Sequence, residues 1–225
     1  MSLAPLLLAA SLLSPSASAK GKGKGDDDGG VGIRLKFSTP VFAMSNFWVE
    51  NADVEEDDPV KAKSRTVSFF NQPNRFEATY LLGEGAEVGA ILGYSSTRGW
   101  AENKETEAED TAISKDTQAT IALTGAYNIA LGEGAKLFIQ PIIGVDTFTA
   151  GLVDNGDNEP LKTRFVVYGG DVGVRLRLFK RATFDIAGEY LLGNGAFFDA
   201  EGEKDEDNTG KYNQFAIRGG LSVRI

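Results

Sequence analysis

The chain has 225 residues, 23 Lys and Arg against 32 Asp and Glu, a formal net charge of -9, 27 Gly, and neither Cys nor His. Lack of Cys excludes disulfides, thiolate metal sites and thiol nucleophiles, and lack of His removes the commonest general base and metal ligand. The acidic balance argues against nucleic acid as a partner, because that binding is driven by phosphate neutralisation.

Residues 1–19, MSLAPLLLAASLLSPSASA, carry no charge. Their apolar core, Leu3 to Leu13, is shorter than the roughly 20 residues a spanning helix needs. Ala17-Ser18-Ala19 before Lys20 fits a small-residue cleavage site, so 1–19 is expected to be a secretory signal peptide, although no Lys or Arg precedes its core. Residues 20–30, KGKGKGDDDGG, are polar and low in complexity, the pattern of a flexible leader. Residues 31–225 are expected to form one domain.

From Val31 onward the apolar pattern has period two. GIRLKFS sets Ile33, Leu35 and Phe37 against Arg34, Lys36 and Ser38. Later runs repeat the alternation, as in VVYGGDVGVRLRLF, where Val172, Val174 and Leu176 oppose Asp171, Arg175 and Arg177. Such alternation predicts strands, and Gly inside the runs disfavours helices. Eight strands are predicted, over about 31–48, 64–82, 87–100, 117–131, 136–150, 163–179, 183–198 and 212–225. The second has an expected irregularity at Asn71-Gln72-Pro73-Asn74, since Pro cannot donate to a ladder.

The connections alternate in length. Those after strands two, four and six are short: GEGA, GEGA and KRAT. The Leu-Gly-Glu-Gly-Ala turn occurs twice, and its glycines suit the positive φ angles of tight turns. The other connections run from Glu50 to Lys63, Ala101 to Asp116, Asp154 to Lys162 and Asp199 to Lys211; together they hold 21 acidic and seven basic residues. In an antiparallel arrangement all short turns lie at one end and all acidic loops at the other.

This arrangement over residues 31–225 resembles the small eight-stranded outer-membrane β-barrels, the outer-membrane protein A, X and W group of the porin-like superfamily. The resemblance implies an all-β fold: one antiparallel up-and-down transmembrane barrel with short periplasmic turns and long external loops. It implies an outer-membrane location in a Gram-negative bacterium. The implied partners are outer-membrane lipid, lipopolysaccharide and the insertion machinery, with the protein a monomer. Barrels of the group usually end in an aromatic residue, whereas this sequence ends in Ile225.

If the apolar face meets lipid, the charged strand residues face the lumen. The predicted lumenal ion-pair residues are Arg34, Lys36, Arg75, Glu77, Asp146, Asp171, Arg175, Arg177, Asp185, Glu189, Arg218 and Arg224. On the lipid face at the midplane each Arg or Lys would cost roughly 2–4 kcal/mol. Aromatics near the strand ends are expected to form interfacial belts. Phe47, Trp48, Phe69, Phe70, Trp100, Phe148, Phe165, Phe197, Phe198 and Tyr212 lie near the long loops, and Tyr80, Phe138, Phe179 and Phe184 near the short turns.

Asp154 to Glu159 and Asp205 to Gly210 gather oxygen ligands, but the second stretch has Ala216 where a calcium loop needs its last acidic residue. Solvated loops are the simpler reading, and no metal or cofactor is expected. The Gly-rich stretches lead into no helix, so they lack the geometry of a phosphate loop. The known phospholipase and palmitoyltransferase barrels rely on His, so the chain is expected not to be an enzyme. Its expected role is envelope structure, surface interaction or passage of a small molecule. The alternatives are a soluble exported barrel that binds an apolar ligand, lipocalin-like, with Ile121, Leu123, Val174 and Leu176 pointing inward, and a narrow ion channel.

Overall fold

A run of alternating residues can stand as a strand only if every backbone N–H and C=O finds a neighbour, and in this chain the sheet closes on itself to supply them. A computed structural model describes residues 32–51, 61–69, 73–83, 85–101, 111–151, 161–198 and 203–225. The expected signal peptide and leader, and the centres of the long connections, lie outside the described residues.

Nine strands follow in order: β1 Gly32–Asn51, β2 Lys61–Ser68, β3 Asn74–Leu81, β4 Ala86–Ala101, β5 Thr111–Gly132, β6 Ala135–Gly151, β7 Leu161–Arg177, β8 Ala182–Phe198 and β9 Lys204–Arg224. Every pairing is antiparallel, consecutive strands from β3 to β9 pair with each other, and β1 pairs with β9 to close the barrel. At the short-turn end Ile33 and Ile225 exchange both backbone hydrogen bonds, at 3.3 and 2.9 Å.

The eight predicted strands become nine because the second is divided. β2 and β3 both pair with β1, over Ala43↔Ser68 to Glu50↔Lys61 and over Gly32↔Leu81 to Ser38↔Arg75. Buried Pro73, which has no N–H to give, lies at the division. β1 carries a bulge between Pro40 and Phe42 at the same level. Among the described residues β3 pairs onward with β4 but β2 does not, so Ser95 to Ala101 of β4 have ladder partners only on β5. A seam therefore separates β2 from the upper part of β4.

The repeated turn behaves as its glycines require. Gly83 and Gly85 take φ of 112° and 95°, and Gly134 takes 82°. At the far end the strands run further than the pattern indicated. β5 starts at Thr111 and β9 at Lys204, so Asp205 to Gly210 belong to a strand and not to a loop.

Outside, an apolar band circles the lower barrel. Ile33 and Phe37, Val88 and Leu92, Ile139 and Ile143, Ile186 and Tyr190, and Ile217 and Leu221 are all exposed. Ile121 and Leu123 are each 67% exposed, Leu176 is exposed and Val174 is half-buried on the same outward face. The inward orientation required of a lipocalin-like barrel is therefore absent. Exposure of this much contiguous apolar surface is intelligible only if something other than water covers it.

Above the band the outward residues turn polar: Asn46, Thr147, Arg164, Asn194, Lys211 and Asn213. The band spans about the 9–11 residues per strand that a tilted transmembrane strand needs. The remainder of each strand continues as a collar on the long-loop side.

Candidate functional site: the lumen and its mouths

The lumen contains two differently built layers. In the banded part it is filled by charge. Arg175 of β7 points across the barrel; its Nε donates to Asp185 Oδ1 at 3.0 Å, its Nη2 to Asp185 Oδ2 at 3.0 Å, and its Nη1 to Glu87 Oε1 of β4 at 2.8 Å and Asn128 Oδ1 at 2.7 Å. Glu87 also receives Arg34 of β1, the hydroxyl of Thr79 at 2.9 Å and the amide of Asn128 at 2.7 Å. Lys36 Nζ sits 3.5 Å from Glu77 and 3.7 Å from Asp185. Between these cations lies the ring of Phe138, whose centroid is 5.2 Å from Lys36 Nζ and 5.0 Å from Arg175 Cζ. A cation over an aromatic face is attracted by the ring quadrupole, more so when water is excluded.

Higher in the same ionic layer, Glu189 of β8 is the hub. It accepts from Arg75 on the opposite wall, from Arg218 Nε at 3.1 Å and from Gln214 Nε2 at 2.8 Å, and it is 0% exposed. Arg218 also donates to the carbonyl of Pro73 at 3.2 Å, which satisfies an acceptor at the strand division. Asp171 stands beside Glu189 across the β7–β8 ladder. Asp146 accepts from Gln118 at 3.3 Å, and both are buried. Arg75–Glu189 joins β3 to β8 and Arg175–Glu87 joins β7 to β4, so the side chains tie opposite walls and occupy the bore.

Of the predicted lumenal residues, Lys36, Arg75, Glu77, Asp146, Asp171, Arg175, Asp185, Glu189 and Arg218 are buried in the barrel and Arg34 is half-buried. Arg177 is exposed and Arg224 half-buried at the short-turn mouth. The sequence reading missed Glu87 and Asn128, which share the Arg175 cluster, and the amides Gln118, Gln140 and Gln214. Glu87 shares its face with Gly89 and Ile91, so its stretch showed no charged stripe.

The upper layer is aromatic. Phe47, Phe148, Phe165 and Tyr212 pack together inside the collar, with ring centroids 5.4 Å apart for Phe47–Phe165, 5.6 Å for Phe148–Phe165 and 5.8 Å for Phe148–Tyr212. Phe197 joins them at 6.2 Å from Phe47. The strands opposite Phe165 make room with glycine: a Cβ at Gly195 would lie 2.4 Å from the ring. These five residues, and Phe138 below, were expected in interfacial belts and instead face the lumen. For Phe148, Phe165, Phe197 and Tyr212 the outward face of the collar is polar, so period two brings the aromatics inside; Phe47 is turned inward by the bulge between Pro40 and Phe42, which shifts the alternation of β1. Trp48, Phe69, Tyr80, Phe179, Phe184 and Phe198 do face outward. The side chains of Phe70 and Trp100 lie outside the described residues.

Among the described residues no His, Cys, Asp and Glu grouping has the geometry to hold a metal ion. Glu77, Glu87, Asp146, Asp185 and Glu189 are engaged with Arg, Lys, amide or hydroxyl groups, and Asp171 stands among them with its Oδ1 unbonded, an arrangement that fills and braces a bore. Apolar outside, ionic inside and closed by an antiparallel ladder, the molecule is a small membrane-spanning up-and-down β-barrel.

No protein-family model matches the chain, and no curated protein matches it. Solved outer-membrane barrels are similar in fold. The outer membrane protease OmpT of Escherichia coli aligns with 92% of this chain and 100% of its own at 11% identity and a TM-score of 0.47. OprG of Pseudomonas aeruginosa aligns over 86% and 96% at 11% identity and a TM-score of 0.48. A major outer membrane protein of Thermus thermophilus aligns over 85% and 99%, also at 11% and 0.48. The assignment to the barrel class rests on the chain's own geometry.

Proposed function

We propose that this chain is a non-enzymatic integral outer-membrane protein of a Gram-negative bacterium, a closed barrel that braces the envelope and presents acidic external loops. One observation carries the reading: along the same strands the apolar face is outward through the band and inward through the collar. A soluble barrel keeps its apolar face inward over its whole height. A wall that exchanges faces partway up matches a hydrocarbon layer below and water above. An outer membrane supplies that boundary for β-barrels, and its lipid, lipopolysaccharide and insertion machinery are the partners this reading requires. Cross-lumen ion pairs and the aromatic layer favour a plugged monomer over an open channel, since an eight-stranded bore holds little beyond its own side chains.

The test exploits the lack of cysteine. Single cysteines placed from Val166 to Leu178 of β7 in the full chain in lipid vesicles are challenged with a water-soluble maleimide. Protection of 166, 172, 174 and 176, with full labelling of a cysteine at Arg164, is the expected result. Labelling of Val172 and Val174 as fast as Arg164 overturns it. Discrete single-channel openings in planar bilayers would refute the plugged state.

A second reading has its own observation. The seam between β2 and the upper part of β4 lies at the upper edge of the band, flanked by Val67, Phe69 and Tyr94, all exposed. Such a seam suits lateral passage of a small apolar molecule between the collar and the outer leaflet. A cysteine pair that cross-links Thr66 to Thr97 would block uptake of such a molecule if passage uses the seam, and would leave uptake unchanged if it does not.

A further inference from the structure

The short-turn mouth has a charge character unlike the rest of the barrel. A cavity of about 70 Å³ opens there, room for several waters. Its rim carries Arg34, Lys136, Arg177, Lys180, Arg181 and Arg224, and its floor is Arg175. No Asp or Glu lines it among the described residues. The hydroxyls of Thr183 and Ser222, 2.6 Å apart, supply further hydrogen-bonding groups in the wall.

Deeper in the lumen the cations meet carboxylates directly. Even the floor residue follows that rule, because Arg175 is held by Asp185 and Glu87. At the rim, Lys180 and Arg181 are exposed and make no ion pair among the described residues. Arg34 is likewise held by Glu87, and four strands and the β7–β8 turn bring these cations together around one small concavity. Guanidinium groups and hydroxyls around a cavity of this size match a tetrahedral oxyanion with several acceptors. The site lies just below the apolar band, next to exposed Leu178 and Phe179, the depth at which headgroup phosphates sit.

We propose that this mouth is a phosphate-binding site. Two sources offer that chemistry: a phospholipid headgroup of the adjoining leaflet and a soluble phosphate. The soluble arm does not depend on the outer-membrane reading, so the two can fail separately.

The test uses the full chain in detergent and in nanodiscs. Inorganic phosphate is titrated by calorimetry, and retention of phosphatidylglycerol over phosphatidylcholine is read by native mass spectrometry. The variant Lys180→Gln/Arg181→Gln changes two exposed turn side chains, and its fold is checked by heat-modifiable gel migration. Loss of two cations is expected to weaken whichever ligand binds by about tenfold. A collar variant, Lys162→Gln/Lys211→Gln, which removes the same charge far from the mouth, is expected to bind as the parent does. Phosphate binding without lipid preference assigns a soluble ligand, and phosphatidylglycerol retention without phosphate binding assigns the headgroup. Binding of neither, or equal loss in both variants, overturns the proposal.

Discussion

The banded part of the barrel and the collar are built from the same strands by opposite rules. On β9, Ile217 and Leu221 face out while Arg218 faces in; nearer its start, Lys211 and Asn213 face out while Tyr212 faces in. β7 repeats the exchange, with Val172 out and Arg175 in, then Arg164 out and Phe165 in. On both of these strands side chains alternate without a break, yet the meaning of each face reverses. What decides the inside of a barrel is what surrounds it. Where hydrocarbon covers the wall, the interior must take the polar groups and pair them; where water covers it, the interior is an ordinary apolar core.

The comparison can be broken from either side. The largest effect is expected from Glu189→Ala, which strips Arg75 and Arg218 of their buried partner. Unpaired buried charge costs about 3–5 kcal/mol. Urea unfolding of the protein in lipid vesicles measures it, and a loss below about 1 kcal/mol would mean the ionic layer does not brace the barrel. The comparison is sharpened by replacing the layer as a unit, with Arg75→Met, Arg218→Met, Glu189→Leu and Asp171→Leu together, which is expected to recover most of that loss, because apolar replacement of a whole buried network is often neutral.

In the collar, Phe165→Ala removes the centre of the aromatic cluster and is expected to cost about 3 kcal/mol. Its signature differs from that of Glu189→Ala: limited proteolysis should nick the collar while the lipid-covered strands stay protected. Equal sensitivity of both parts would deny that they are separate layers. A smaller effect, about 2 kcal/mol, is expected for Leu123→Arg in the band, against no more than about 0.5 kcal/mol for Thr117→Arg on the same strand and face in the collar. Equal penalties would erase the boundary. Below the Leu123→Arg effect comes Ser222→Ala, which removes the hydroxyl pair with Thr183 at the short-turn mouth and should cost about 1 kcal/mol in the same urea unfolding.

Much of this was legible from residue order. Ile33 to Ser38 announced a strand, a lipid face and a lumenal Lys36 within a few letters, and the Gly-Glu-Gly turns marked the short-turn end. Pro73 pointed to the strand division. Two things were hidden. The reversal of the faces was invisible because Phe165 and Val172 obey the same chemistry until one knows which lies above the lipid, and period two carries no label for depth. Glu87 was hidden because its face holds Gly89 and Ile91, and its partners Arg34 and Arg175 come from distant strands. Cross-lumen pairing is a property of closure, which no local pattern encodes.

The exchange of faces also sets how far the protein sits in its bilayer. Sinking by one residue pair, about 5 Å along the normal, would drag Arg164, Lys211 and Asn213 into oil. Rising by the same step would wet Ile121, Phe215 and their ring of neighbours. Either move is penalised around the whole circumference at once, so the amino-acid order acts as a draught mark that holds the hull at one waterline.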